Sequence, residues 1–148
     1  MKSVKATVVI PVDAGKALNM FLDLNEMKNW WGVERGLVEP KPGGCWTVTW
    51  KISEHGFGYV TSGIITELIP SKKLKIENVV YLNPEKSILG PMKITVDVET
   101  ENQNTKLTVE QSGYREGDDW DWYYNAVVDG WPFALKLLKE YCESLLKK

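Results

Sequence analysis

The sequence predicts an α+β domain in which a curved antiparallel sheet wraps around a long C-terminal helix, with two short helices after the first strand. Three observations carry this reading. Residues 120–148 place apolar side chains at helical spacing over a length that no other segment matches. Most of the chain from Gly36 to Ser112 alternates with period two and is punctuated by Gly, Pro and Asn turns. Each of those strands has one apolar face, so a helix of matching length is needed to cover the sheet they form.

The elements follow in order. In residues 4–10, Val4, Ala6, Val8 and Ile10 share a face, and Pro11 stops the strand. Asp13 is placed to cap a helix whose Ala14, Ala17, Leu18, Phe21 and Leu22 lie together. Asn25 is expected to cap a second short helix carrying Met27, Trp30 and Trp31, which Gly32 ends. Residues 36–39 can pair back through Pro40, Pro42, Gly43 and Gly44 onto residues 45–52, with Trp46, Val48, Trp50 and Ile52 inward. Gly56 and Gly58 bracket the next turn, and a strand over 59–69 is expected to bend at Gly63. Residues 73–82 put Leu74, Ile76, Asn78 and Val80 on one face. Residues 91–99 turn Met92, Ile94, Val96 and Val98 inward, and residues 106–112 do the same with Leu107, Val109 and Gln111.

In the long helix, Trp120, Tyr123, Tyr124, Val127, Trp131, Ala134, Leu135, Leu138, Tyr141, Cys142 and Leu145 fall on one side. Asp118 and Asp119 are placed to cap it and to meet the positive end of its dipole. Gly130 and Pro132 interrupt the pattern, and because the apolar face continues on both sides a kink is expected, not a break. Trp122, Ala126, Phe133 and Leu137 make a second apolar strip on the flank. Either the bent pair of short helices covers it or it meets another chain, which would make a homodimer.

Composition narrows the function. The chain has 148 residues, is 43% apolar and carries a formal charge of −2, which suits one domain over 1–148. Scattered Lys and Arg give no footprint for nucleic acid or an anionic membrane. Residues 1–13 lack the continuous apolar core of a signal peptide, and no segment approaches a bilayer span, so a cytoplasmic protein is expected. Cys45 and Cys142 read as packed thiols. Seven Trp residues are the compositional oddity that needs a physical explanation.

The motifs Trp30-Trp31-Gly32, Pro42-Gly43-Gly44, Gly63-Ile64-Ile65-Thr66-Glu67 followed by Pro70 and Leu74, and Gly130-Trp131 ahead of Leu135, Leu138 and Tyr141 carry a likeness. Their order and spacing resemble the SRPBCC or START-like superfamily, in particular the branch similar to the C-terminal domain of the activator of the heat-shock-protein-90 ATPase. The likeness runs over nearly the whole chain. It implies the helix-grip fold, with a deep cavity between sheet and long helix that in relatives holds lipids, hormones or polyketides. Its motifs are turns and packing aromatics, so it implies a fold more strongly than an activity.

An empty void of about 300 Å³ would cost on the order of 7 kcal/mol, so such a cavity must be hydrated, occupied or closed by side chains. Trp46 and Trp50 either close it as core or form its floor. Asn78 and Gln111 occupy positions where strand alternation expects apolar side chains, and a buried amide left unpaired costs about 1–3 kcal/mol, so they are the candidate polar anchors unless a bulge turns them out. Tyr123 and Tyr124 are placed at the mouth. The acids at Glu116, Asp118, Asp119 and Asp121 match no calcium-loop spacing and fit a solvated helix start better than a cation site. His55 lies in a turn, no Gly-x-Ser-x-Gly elbow or phosphate loop occurs, and no metal or cofactor is expected. Glu67 with Tyr59 is either an acid pair beside the pocket or a strand-edge carboxylate facing water. The reading is therefore a binder of a small apolar molecule with no catalytic residues. The alternatives are a partner-binding module linked to a chaperone or to stress, and a cyclase- or hydrolase-like enzyme.

Overall fold

The computed structural model describes residues 2–147. Among them, seven strands form one antiparallel sheet: β1 (Ser3–Ile10), β2 (Arg35–Val38), β3 (Cys45–Trp50), β4 (Tyr59–Ile69), β5 (Lys73–Leu82), β6 (Leu89–Glu101) and β7 (Asn104–Ser112). The spatial order is β1-β7-β6-β5-β4-β3-β2, so β1 and β2 are opposite edges. Helices α1 (Ala14–Asn19) and α2 (Leu24–Trp31) carry the chain from one edge to the other, which is why two short helices follow the first strand. The remaining strands are hairpin neighbours, and α3 (Asp118–Leu145) returns to pack against β1 and α2.

The alternation read from the sequence holds on β6 and β7, where Met92, Ile94, Val96, Val98, Leu107, Val109 and Gln111 are all buried. Helix α3 runs unbroken through Pro132, as its continuous apolar face requires. Tyr123, Trp131, Ala134, Leu135, Leu138 and Cys142 are buried against the sheet. At 1.5 Å per residue its 28 residues span roughly 42 Å, the full width of a small sheet. The Tyr141 hydroxyl donates to Glu26 Oε1 at 3.0 Å and ties α3 to α2.

Three local expectations are corrected. Helix α2 is capped by Asp23, whose Oδ1 accepts from Asn25 N at 2.8 Å and Glu26 N at 3.3 Å; Asn25 lies inside the helix. Both residues suit a cap, and the one whose carboxylate reaches two free N–H groups wins. At α3 the cap is Gly117 with no side-chain bond, and Asp118 and Asp119 sit in the first turn, where they still meet the dipole. On β5 the register shifts between Ile76 and Val79, and Asn78, at φ 53°, is exposed. The shift moves Val79 and Tyr81 inward in place of Asn78 and Val80. Asparagine tolerates that left-handed backbone better than most residues, which is the reason it stands there.

The tryptophans serve as hydrogen-bond partners for helix ends as well as core. The indole N–H of Trp30 donates to Met20 O at 2.8 Å, that of Trp46 to Phe21 O at 2.7 Å, and that of Trp50 to Trp31 O at 3.3 Å. These carbonyls lie at or just beyond the ends of α1 and α2, where the backbone runs out of its own donors. The outward face of β1, β7, β6 and β5 carries Lys5, Lys73, Lys106, Asp97, Glu99 and Glu110. Lys73 approaches Asp97 and Lys106 approaches Glu99, each at 3.9 Å. Among the described residues no helix is long and apolar enough to cross a membrane.

The bend expected at Gly63 is present as a register shift between Ser62 and Ile64. A Cβ there would stand 2.7 Å from Ile76 Cγ2 and 2.9 Å from Val79 Cγ2. Gly63→Ala should therefore cost about 1–3 kcal/mol through overpacking, read as a fall in Tm of about 2–4 °C per kcal/mol. An unchanged Tm would show that the two strands separate freely at the bend.

Candidate functional site

The register of the sheet builds one lateral row of side chains beneath α3. Trp50 pairs with Tyr59, Thr61 with Tyr81, and Ile94 with Gln111. Because facing residues in an antiparallel pair point the same way, these six share the inner face. Above them α3 contributes Tyr123, Val127, Trp131 and Ala134, and α2 contributes Trp31. Together they enclose a pocket of about 390 Å³. Its rim is Trp122, Ala126, Gly130, Phe133 and Leu137. The flanking strip of α3 therefore borders the pocket, and Trp31 of α2 meets it from the other side, so the strip and the cavity are one feature.

At 24 cal/mol per Å³ an enclosed dry void of this size would cost about 9 kcal/mol. The exposed rim avoids that cost by admitting solvent: Trp122 is 40% and Phe133 61% exposed. Among the described residues, every side chain that lines the pocket is uncharged. The aromatic wall is continuous: ring centroids lie 5.1 Å apart for Trp31 and Trp50, 5.2 Å for Trp50 and Tyr59, 6.3 Å for Tyr59 and Tyr81, and 4.5 Å for Tyr81 and Tyr123.

Polar groups are few and held. Gln111 is 2% exposed. Its Oε1 accepts from Trp131 Nε1 at 2.8 Å, and its Nε2 donates to the Tyr123 hydroxyl at 2.9 Å. Asn83 Nδ2 donates to the Tyr81 hydroxyl at 3.2 Å. Burial raises the pKa of Tyr123, and of Tyr81 despite the opposing bond from Asn83; at Tyr59 burial acts with the neighbouring Tyr81 and Glu34. All three phenols therefore stay neutral at physiological pH.

The loop after β5 is strapped to the start of α3. Ser87 N donates to Asp119 Oδ2 at 2.7 Å, and Lys86 Nζ sits 4.4 Å over the Trp122 ring. The bond from the Ser87 backbone holds the Asp119 carboxyl below its usual range. The two acids at this end with side-chain bonds to backbone are Asp119 and Asp121, the latter accepting from Gly117 N at 3.2 Å. Among the described residues no group of three or more His, Cys, Asp or Glu is arranged to hold a metal.

The structure brings Trp50, Gln111 and Tyr123 together and leaves Trp46, Asn78 and Tyr124 outside the lining. Trp46 is 1% exposed and fills core beside Phe21, four residues along β3 from the lining residue Trp50. Asn78 is turned out by its bulge. Tyr123 lies inside and not at the mouth, while Tyr124 stands edge-on to Tyr114 at 5.1 Å beneath Lys2. Glu67 pairs with Lys75 at 4.0 Å on the surface and makes no pair with Tyr59. His55 is exposed beside Glu54. Ile94 and Trp131 are lining residues that periodicity places on apolar faces without separating pocket from core, Trp31 reads as an apolar residue of the second short helix, and Thr61 is not singled out by the sequence. Tyr81 was recoverable only by allowing a bulge at Asn78.

A long helix held in a curved antiparallel sheet over such a pocket is the architecture of START-like, helix-grip proteins. The chain belongs to the family described as activator of Hsp90 ATPase homolog 1-like protein, whose model matches residues 12–143. Among solved structures it is similar to the Aha1 dimer from Colwellia psychrerythraea, at 18% identity and TM-score 0.72 over 97% of each chain. It is also similar to protein MLL2253 from Mesorhizobium loti, at 17% identity and TM-score 0.76 over 97% of this chain and 98% of that one. A third, ChR145 from Cytophaga hutchinsonii, is 14% identical with TM-score 0.74 over 100% and 98%. At these identities the likeness is one of fold. No curated protein sequence matches the chain.

Gln111→Leu should cost about 1–3 kcal/mol in denaturant unfolding, since it leaves the Trp131 indole N–H buried without an acceptor, whereas Asn78→Gly should be close to neutral. Equal effects would contradict the placement of the two amides. The buried phenols also set an alkaline limit. With folded pKa values above unfolded ones, the native state holds more protons, so stability is complete below about pH 10 and falls as pH rises beyond it. Cys142, pushed up to about 11 by burial, acts in the same direction. Urea midpoints should decline through that range, with phenolate absorbance lagging behind that of free tyrosine until the protein unfolds.

Proposed function

We propose that the chain, acting over 1–148 as one cytoplasmic domain, binds a small, neutral, largely apolar molecule in the pocket between the sheet and α3. The observation that carries this is the pocket itself: about 390 Å³, walled by aromatic rings, with no charged lining residue among those described and with a solvent-open rim. That volume falls within the range of small-molecule sites, and a mostly apolar wall with a few placed polar groups is their usual make-up. Trp50, Gln111 and Tyr123 are the contacts retained from the sequence reading, joined by Trp31, Tyr81 and Trp131. Among the described residues the lining holds no carboxylate, histidine or thiol, which favours the reading of a carrier or sensor.

A second reading rests on the exposed rim. Trp122 and Phe133 present apolar surface that a partner or a second copy would cover, and the similar Colwellia psychrerythraea protein is a dimer. The family's name adds an Hsp90-type chaperone to the partners worth testing.

Tryptophan fluorescence should be quenched saturably by a neutral dimethylaminonaphthalene, and native mass spectrometry of freshly purified protein should show a bound small molecule. Ala126→Trp, which fills the mouth from the exposed side of α3, should abolish both while thermal unfolding is unchanged. If binding survives in Ala126→Trp, the pocket is not the site. If instead Trp122→Ser with Phe133→Ser dissociates a dimer in sedimentation and the probe is indifferent to Ala126→Trp, the second reading replaces the first.

A further inference from the structure

The inner wall of the pocket carries two phenols whose oxygen atoms are already used as acceptors. Tyr81 receives a hydrogen bond from Asn83 Nδ2 and Tyr123 receives one from Gln111 Nε2. A hydroxyl whose oxygen accepts in this way still has its own hydrogen to give. The oxygen of the same amide, Gln111 Oε1, accepts from the Trp131 indole at 2.8 Å and not from Tyr123. Among the described residues neither phenol donates to a protein acceptor, although both line the pocket. The two rings are neighbours, with centroids 4.5 Å apart and planes 34° apart, so their hydroxyls serve one region of the wall. Asn83 and Gln111 thus act as positioning residues that aim the donors.

We propose that Tyr81 and Tyr123 form a paired donor site for a carbonyl-type oxygen, and that the bound molecule is a neutral, flat aromatic ketone or a compound of that class. This rests on the pocket being a ligand site. Flatness follows from the wall, a run of planar rings in which Trp50 and Tyr59 stack within 23° of each other. Neutrality follows from the lining. A carboxylate would be buried without a cation, since no lysine or arginine is among the described lining residues. A quaternary ammonium would use the ring faces but leave both hydroxyl hydrogens unmatched. A pure hydrocarbon would leave them unmatched too, and a site built to give hydrogen bonds discriminates against a guest that cannot take them. The raised phenol pKa values agree with this, because neutral phenols persist as donors across the physiological range.

The test compares four naphthalenes by fluorescence titration of the full chain. All carry one naphthalene ring system: a dimethylaminonaphthalene with a propionyl group, the same compound with propyl in place of propionyl, a naphthoate, and a trimethylnaphthylammonium. The ketone should bind about tenfold more tightly than its propyl counterpart, the difference expected from one or two hydrogen bonds. Its emission should move to the red of the value it shows in hydrocarbon, as for a hydrogen-bonded carbonyl. Tyr81→Phe should remove most of the preference without changing propyl affinity, and it leaves only half-buried Asn83 to re-pair with water. Tyr123→Phe should do the same, with thermal unfolding checked because Gln111 loses a partner. Equal binding of ketone and propyl compounds, unmoved by either Phe variant, would overturn the donor site while leaving the pocket reading intact. Preference for the naphthoate or the ammonium would overturn it as well. Failure of all four to bind would remove the pocket reading and this inference together.

Discussion

One buried amide joins the two layers of this protein. Gln111 stands near the end of β7, the strand beside edge strand β1, nearly inaccessible to solvent, and its side chain is bonded to Trp131 and Tyr123, two turns apart on α3. A polar group in such a place is tolerated only when every bond it can make is made. Here the requirement is met by one rotation and one depth of the helix over the sheet. Apolar contacts alone would let α3 slide or roll among packings of similar energy; the amide selects one. The same bonds place Trp131 and Tyr123 on the pocket wall, so the contact that sets the helix also shapes the site.

The pocket exists because the sheet curves away from α3 more than the side chains between them can fill. The curvature comes from shifts in register at Gly63 and at Asn78, on adjacent strands. Gly63 lets β4 approach β5 where a Cβ would collide, and Asn78 takes a backbone conformation that would strain a branched residue. The tryptophans then divide the work. Trp30 and Trp46 complete the ends of short helices and fill core, while Trp31, Trp50, Trp122 and Trp131 wall the open space. That division accounts for six of the seven tryptophans; the seventh, Trp120, packs against the core from the first turn of α3.

Most of the fold was legible in the sequence because it rests on periodicity, which a single chain displays. The seven strands, the two short helices, the length of α3, the caps at Asp13 and Gly32, the bend at Gly63 and the inward Gln111 all follow from apolar spacing and turn chemistry. What was not legible rests on single-residue shifts. The bulge at Asn78 exchanges the two faces of β5 and so conceals Tyr81, while Asp23 and Asn25 are chemically similar caps two positions apart. Depth was also hidden: Trp46 and Trp50 share a face, yet one is sealed and the other lines a pocket, and alternation says nothing about how far along a strand the helix lifts away. The flanking strip of α3 was visible as apolar, but its relation to the cavity needed three dimensions.

The outward face of the sheet bears on how the protein behaves in a crowded solution. Lysines and acids alternate across neighbouring strands there, with Lys73 beside Asp97 and Lys106 beside Glu99. Such exposed pairs add little to folding. Stacking a second sheet on this face would strip water from every one of those charges at once, which disfavours face-to-face packing of copies. Trp122 and Phe133 are exposed at the edge of the pocket, so a guest seated there and a second copy covering the rim would compete for the same few side chains.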